Sequence, residues 1–300
     1  MATASTNALF AFPNFLDPTA VYTPALWGGT WQSAAPLSNL QNRFLAYKAR
    51  SVGLTPDNTN FVVDLGTKRT VQVVALPRHN LSLTATYSVY LFTDWTQPSP
   101  PLSAAVASAV NQPVFGVNYP FGTVPYENPS WYNGQITPEQ WYQNRIPLLV
   151  ILPQPILARY VWVQIQDTAN PAGYVELSRM VVAPGWQPSV NIKTGAQIGV
   201  SDPTVTTTSL GEVDYFDLRT KRRTATVSID YLPQNEAFAQ VLDLQMSGGV
   251  SGQIFFSYAP QDAVNFSRHS FLATLTRLDP LTAAAAGYQS AAFSLQEVVG

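Results

Sequence analysis

The sequence predicts an all-β protein of two β-sandwich domains. Two observations carry this reading. Apolar and polar residues alternate with a period of two in short runs along most of the 300 residues, the signature of half-buried strands. Only one stretch, 233–247, shows the spacing of a helix with one packed face.

Residues 1–36 are apolar but irregular. Pro13, Pro18, Pro24 and Pro36 interrupt them, as does the turn Trp27-Gly28-Gly29-Thr30, and they read as an N-terminal arm. Residues 37–48 have room for a turn or two of helix. Phe61, Val63 and Leu65 alternate ahead of Gly66, which predicts a strand and a turn with Lys68 and Arg69 at its tip. Val71, Val73 and Ala75 form one face of the next strand, which Pro77 ends. Tyr87, Val89 and Leu91 line another.

Residues 94–145 break this rhythm. Trp95, Phe115, Tyr119, Phe121, Tyr126, Trp131, Tyr132, Trp141 and Tyr142 stand among prolines with little periodicity. Within them only 102–110, rich in Ala and Ser, suggests a helix. So long a segment without regular structure is uncommon in a compact domain and is often functional. The apolar run 148–152 then reads as a buried strand. Tyr160, Trp162 and Gln164 alternate with Val161, Val163 and Ile165 in the next. Asn170-Pro171 and Gly173 make a turn, and 174–182 reads as the paired strand. Pro184-Gly185 stops it, so the first domain spans 37–186 and the second 187–300.

The second domain opens with Thr and Ser and passes a basic hairpin tip containing Arg219, Lys221, Arg222 and Arg223. Residues 224–231 are the cleanest strand in the chain, with Ala225, Val227, Ile229 and Tyr231 on one face. Pro233 suits the first position of a helix. Phe238, Val241, Leu242 and Gln245 define its expected inner face, and Gly248-Gly249 its end. Strands follow over 253–258, 270–277 and 291–298, with a short helix or Ala-rich loop over 280–286.

Composition narrows the function. Charged residues are 11% of the chain and the net charge is −2, so no basic footprint argues for specific nucleic-acid binding. Few charges beside many Thr, Ser, Gln and Asn suit a surface covered by neighbours in an assembly. There is no cysteine, which excludes disulfides, thiolate metal sites and cysteine nucleophiles and favours assembly in a reducing cytoplasm. The N-terminus lacks the pattern of a signal peptide. No apolar run approaches the length of a membrane span.

Residues from about 40 to 186 resemble the discoidin, or F5/8 type C, family, a galactose-binding-like jelly roll. The matching stretches are Ala49-Arg50-Ser51, Phe61-Val62-Val63-Asp64-Leu65-Gly66, residues 70–81, Arg159 to Asp167 and Gly173-Tyr174-Val175-Glu176. The bracketing cysteines of that family are missing, and 94–145 is a long aromatic insertion. Residues 187–300 resemble, by pattern, the β-sandwich-plus-helix unit of bacteriophage tail tube and distal tail proteins. Together these resemblances imply a virion structural protein of a long-tailed phage, built in the host cytoplasm. They imply a tail-tip ring, a hexamer in the first instance, that joins the tail tube protein to the baseplate hub proteins. The alternative is a carbohydrate-binding module, free or virion-attached, that recognises host-surface glycan.

No catalytic constellation stands out. His79 and His269 are the two histidines and fall in different predicted domains. Asp214 and Asp217 are a conceivable carboxylate pair, but acidic residues flanking Tyr215-Phe216 suit a solvated strand edge. The chain is therefore expected not to be an enzyme, and no motif points to a cofactor or a metal. Trp95, Tyr126, Trp131, Tyr132, Trp141 and Tyr142 have two open readings: a platform on which sugar rings stack, or aromatic filling of a loop core or subunit contact. Arg219, Lys221, Arg222 and Arg223 either face a channel or a neighbouring ring, or form a solvated hairpin tip.

Overall fold

A computed structural model describes residues 6–19, 22–96, 99–137 and 146–300. Its regular structure is nearly all β, as the alternation predicts. In chain order the strands are β1 (Leu9–Ala11), β2 (Ala25–Trp27), β3 (Lys48–Arg50), β4 (Phe61–Leu76), β5 (Thr86–Phe92) and β6 (Ala107–Pro113). Next come β7 (Leu148–Gln166), β8 (Glu176–Ser178), β9 (Val181–Ala183), β10 (Gly185–Trp186), β11 (Gln197–Ser201) and β12 (Val205–Thr208). The last are β13 (Asp214–Asp217), β14 (Arg222–Pro233), β15 (Gln253–Ser257), β16 (Ser270–Leu275), β17 (Thr282–Ala285) and β18 (Tyr288–Glu297).

Every pairing is antiparallel. One sheet has six strands in the order β2-β4-β7-β5-β6, with β9 added on β4. Another has eight, β10-β1-β15-β16-β18-β14-β11, with β17 on β18. Two strand pairs, β3-β8 and β12-β13, complete the set. Because side chains alternate along each strand, the eight-stranded sheet has two apolar faces. Phe10, Val227, Ile254, Phe256, Phe271 and Phe293 enter one cluster with Val241 and Leu244 of the helical stretch 234–248. Leu9, Ala11, Phe255 and Leu272 point the other way and meet Val73, Ala75, Leu149 and Val181 of the six-stranded sheet. The sheet curls strongly: the rings of Phe10 and Phe293 lie 4.8 Å apart although two strands separate β1 from β18.

Several elements differ from the sequence expectation. Part of the stretch read as an arm is interior: β1 sits between β10 and β15, and Leu9 and Phe10 are fully buried. The strand–turn–strand predicted over 61–75 is one long strand, since both halves of β4 pair with β7. Gly66 bends it without reversing it. Asp64 lies opposite Tyr160 and Arg69 opposite Ala158, so four residues of β4 face one of β7, a bulge. Gly66 takes φ +76° there, and Asp64 accepts its backbone N–H at 2.7 Å. The expected pair over 160–182 is likewise absent. β7 pairs with β4 and β5, whereas β8 pairs with β3 and β9 with β4.

Residues 107–113 are strand rather than helix, and so are 282–285. Tertiary pairing to β5 and β18 overrides the helical propensity of alanine there. The helix over 234–248 forms and stops at Gly249, φ +54°. Its packed face is rotated from the expected one: Ala237, Val241 and Leu244 are buried, while Phe238 and Leu242 are more than a third exposed. A π-helical segment at Ala237–Leu242 shifts the phase.

Candidate functional site

The loop between β6 and β7 leaves the core at two anchors. Phe115 and Ile136 are buried in the main cluster of the six-stranded sheet. Between them the chain closes on itself. The backbone N–H groups of Asn118 and Tyr119 donate to the Gly134 carbonyl at 2.8 and 2.9 Å, and Gly134 N–H donates to Ser130 at 2.8 Å. Glycine is required at 134. Its φ is +65°, and a Cβ there would sit 2.6 Å from the Tyr119 carbonyl oxygen. The Asn128 side chain accepts the N–H of Ser130 at 2.9 Å and so caps a short 3-10 turn, Pro129–Trp131. Asn118 also ties the loop to the connection between β15 and β16, donating to the Val264 carbonyl at 3.2 Å and to Ser267 Oγ at 3.0 Å.

This frame holds four aromatic rings at the surface. Trp131 is central: its ring centroid lies 5.2 Å from Phe121, 4.9 Å from Tyr126 and 5.0 Å from Tyr132. Trp131 is half-buried, whereas Phe121, Tyr126 and Tyr132 are 83%, 66% and 77% exposed. The Tyr126 and Tyr132 hydroxyls share a hydrogen bond of 3.2 Å. That bond holds the Tyr132 phenol above its ordinary pKa. Aromatic residues this exposed and in mutual contact make a contiguous apolar surface edged by hydroxyls.

The structure divides the sequence-predicted aromatics. Tyr126, Trp131 and Tyr132 come together, and Phe121, not singled out as a binding residue, joins them. Trp95 belongs elsewhere. It packs on the outer face of the six-stranded sheet, against Trp27, Phe92, Tyr160 and Trp162 at centroid distances of 5.8 to 6.0 Å. Trp141 and Tyr142 lie outside the described residues. The signal that would have found Phe121 is its place in the same Pro- and Gly-punctuated loop.

The basic run does not sit at a hairpin tip. The turn between β12 and β13 is at 209–213, where Ser209 N–H donates to the Val213 carbonyl. Arg222 and Arg223 are already within β14. Arg219 pairs with Asp217 at 2.9 Å and Lys221 with Asp202 at 3.6 Å. Arg223 pairs with the buried Glu297 at 2.8 Å and lies over the Phe271 ring. All three therefore answer carboxylates of the same chain.

The conceivable catalytic groups are also absorbed locally. His79 is packed edge-on to Phe115 and its Nδ1 accepts the Leu81 N–H at 3.3 Å. Burial pushes it down to about 4. His269 lies 3.8 Å from Asp262, and burial lowers it too. Asp214 accepts a hydrogen bond from Thr208 at 2.6 Å. Among the described residues no three His, Cys, Asp or Glu side chains gather closely enough to hold a metal ion. Asp167, the buried carboxylate near β7, is met by donors rather than by other carboxylates: Ser82 N–H at 2.9 Å, the Ser82 hydroxyl, and Asn170 at 2.8 Å. Two surface grooves, of about 230 and 450 Å³, share Arg43, Ser251 and Gln253. Neither touches the aromatic group or the basic run.

No protein-family model matches the chain, and no curated protein matches it. Solved structures that it resembles include a CBM32 module from a family 31 glycoside hydrolase of Clostridium perfringens, at 13% identity and a TM-score of 0.34, covering 53% of this chain and 93% of that one. The lectin domain of lectinolysin, complexed with Lewis B antigen, is 14% identical with a TM-score of 0.35, covering 58% and 98%. A chitosan-binding module from a Paenibacillus chitosanase/glucanase is 14% identical with a TM-score of 0.32, covering 57% and 98%. At these identities and TM-scores the likenesses carry no argument about what this chain does.

Proposed function

We propose that the chain is a non-catalytic carbohydrate-binding protein that takes a glycan on the aromatic group of residues 119–134, with 37–186 as its galactose-binding-like jelly roll. The observation that supports this most is the exposure of Phe121, Tyr126 and Tyr132 around Trp131 on a loop whose backbone is closed. Sugars present apolar C–H faces that pack on aromatic rings, and each ring covered removes a large apolar area from water. Pre-organisation of the loop limits the ordering entropy that binding must overcome. Of the two phenols that share a hydrogen bond, one donates to the other, which leaves the second hydrogen for a sugar oxygen.

The test is a glycan panel followed by titration calorimetry on the best binder. Saturable binding is expected, abolished in Trp131→Ala and weakened at least about tenfold, ~1.4 kcal/mol, in Tyr132→Ala. Binding that both variants retain overturns the assignment of the site.

A second reading, the tail-tip structural protein, draws on the resemblance of 187–300 and on an exposed apolar hairpin in that half. In it copies form a closed ring with tail tube and baseplate hub proteins as neighbours, and the basic residues near Arg219 approach the next ring. It predicts closed rings with a central hole in electron micrographs of the purified chain. A uniform population of single particles counts against it.

A further inference from the structure

One arginine from the second half of the chain stands against the frame of the aromatic loop. Arg268 lies in the connection between β15 and β16, on the helical turn Phe266–His269. Its guanidinium sits over the Tyr119 ring, 5.4 Å from the centroid. The same connection receives both hydrogen bonds of the Asn118 side chain. Tyr119 belongs to the closed frame. It comes two residues before Phe121, and its N–H donates to the carbonyl of Gly134, which comes two residues after Tyr132. Two residues of chain span at most about 7 Å. The guanidinium and the four rings therefore lie within the span of one short oligosaccharide.

Arg268 is held in place but has no counter-ion. It is exposed, and its Nη1 donates to Asn265 Oδ1 at 2.6 Å. The Asn265 amide is itself oriented, since its Nδ2 donates to Asp262 at 2.9 Å, which leaves its oxygen for the arginine. Asp262 also accepts the N–H groups of Val264 and Asn265, both at 3.1 Å. Elsewhere Arg50, Arg159, Arg179, Arg223 and Arg277 each answer a carboxylate of this chain. Arg268 answers none among the described residues. Glu127, the one carboxylate of residues 119–134, is exposed and pairs with no cation among them. A guanidinium laid on an aromatic face and tied by a hydrogen bond has little freedom left to lose when a ligand arrives.

We propose that Arg268 makes the site selective for acidic glycans: one sugar stacks on the rings around Trp131, and a carboxylate or sulfate on an adjoining unit pairs with the guanidinium. This rests on the reading of those rings as a glycan site. The planar fork of arginine matches two oxygens of either anion, and four of its five N–H donors remain after Asn265 is served. Carboxylate and sulfate ester present the same chemistry to this side chain. The rings supply the stacking area, which neutral and acidic sugars share, and the arginine supplies the difference between them. Because the pair would be exposed, salt screens it.

The test uses the full chain and an array of matched oligosaccharides, each neutral member beside versions ending in a hexuronic acid, a sialic acid or a sulfate ester. The quantity read is the ratio of acidic to neutral affinity within each set. For the wild type at low salt the best set should show a ratio of about tenfold, the scale of a hydrogen bond to a charged group. The ratio should shrink as salt is raised. Arg268→Gln should bring it to about one, and Arg268→Lys, which keeps the charge without the fork, should retain part of it. The carboxylated and sulfated arms show which anion is preferred. A loss of Tyr119 support would lower both affinities together and leave the ratio standing, so a ratio that survives Arg268→Gln overturns the proposal. So does a wild type that binds neutral members as tightly as acidic ones, and that result leaves the ring site itself intact. Binding to no member of the array overturns the ring site and this inference together.

Discussion

His79 shows how one side chain sets a pH response. It is partly exposed, but its Nε2 is shut off from solvent, and this desolvation sets its folded pKa at about 4, against 6.5 in an open chain. Its neutral form is therefore the one that folds. The sign follows from proton counting: between about 4 and 6.5 the unfolded chain binds the proton and the folded one does not. The stabilisation is complete above 6.5 and is lost as the pH falls toward 4, by at most about 3 kcal/mol from this residue. His269 shifts in the same direction. Urea unfolding at a series of pH values should show stability falling across this window, and His79→Asn should flatten part of the slope. An unchanged slope would mean that His79 is solvated. Glu176 acts in a lower range. Burial alone would raise its carboxyl, but hydrogen bonds from Lys48 and Arg50 overcome this and hold it below the ordinary value. Its contribution is present above the unfolded value and is lost only as the pH falls through the folded one.

At the scale of elements, the aromatic loop depends on one backbone position. Gly134 combines φ +65° with a carbonyl 2.6 Å from where a Cβ would stand. Gly134→Ala should open the loop while the sheets persist, because the strain of order 1–3 kcal/mol is local. Hydrogen exchange should then quicken at Asn118 and Tyr119, whose N–H groups the Gly134 carbonyl accepts, and glycan binding should fall with it. Unchanged exchange at both amides would show that the loop tolerates the methyl group.

The loop also marks the limit of what the sequence revealed. Strands β5 and β14 were legible from their apolar period, but β5 is buried on both faces, and a bulge after Ile229 in β14 turns Tyr231, expected on the inner face, outward and puts Leu232 in its place. Gly66 was legible as a bend but not as a bulge, because a bulge is defined by the partner strand and β7 lies some 90 residues away. Residues 102–110, read as helical, and 280–286, read as a short helix or an Ala-rich loop, misled for a similar reason: they carry no pattern of their own, and neighbouring strands turn 107–113 and 282–285 into strands. Tyr126, Trp131 and Tyr132 were named from composition alone, since aromatics among prolines in a long loop need a partner. Their separation from Trp95 was not legible, because it depends on which outer sheet face lies next to residue 95.

For the whole molecule, the sheet-to-sheet cluster matters most. Phe255 is fully buried and points from β15 toward Val73, Ala75 and Leu149. Phe255→Ala should cost about 3–5 kcal/mol and should lower the unfolding midpoint of both sheets together. Two separated transitions in the wild type would contradict such coupling. β1 reinforces it, since a strand from the start of the chain lies inside the sheet built mainly from its last third. Truncation of residues 1–12 is accordingly expected to unfold the eight-stranded sheet, seen as lost strand signal in circular dichroism. On this body the aromatic loop and the open hairpin are separate projections.

The most direct measurement is titration of wild type and Trp131→Ala, in parallel, with the best ligand from a broad glycan panel. The account predicts saturable binding by the wild type and none by the variant, with equal unfolding midpoints for the two. A wild type that binds nothing on the panel, or a variant that binds as the wild type does, contradicts it.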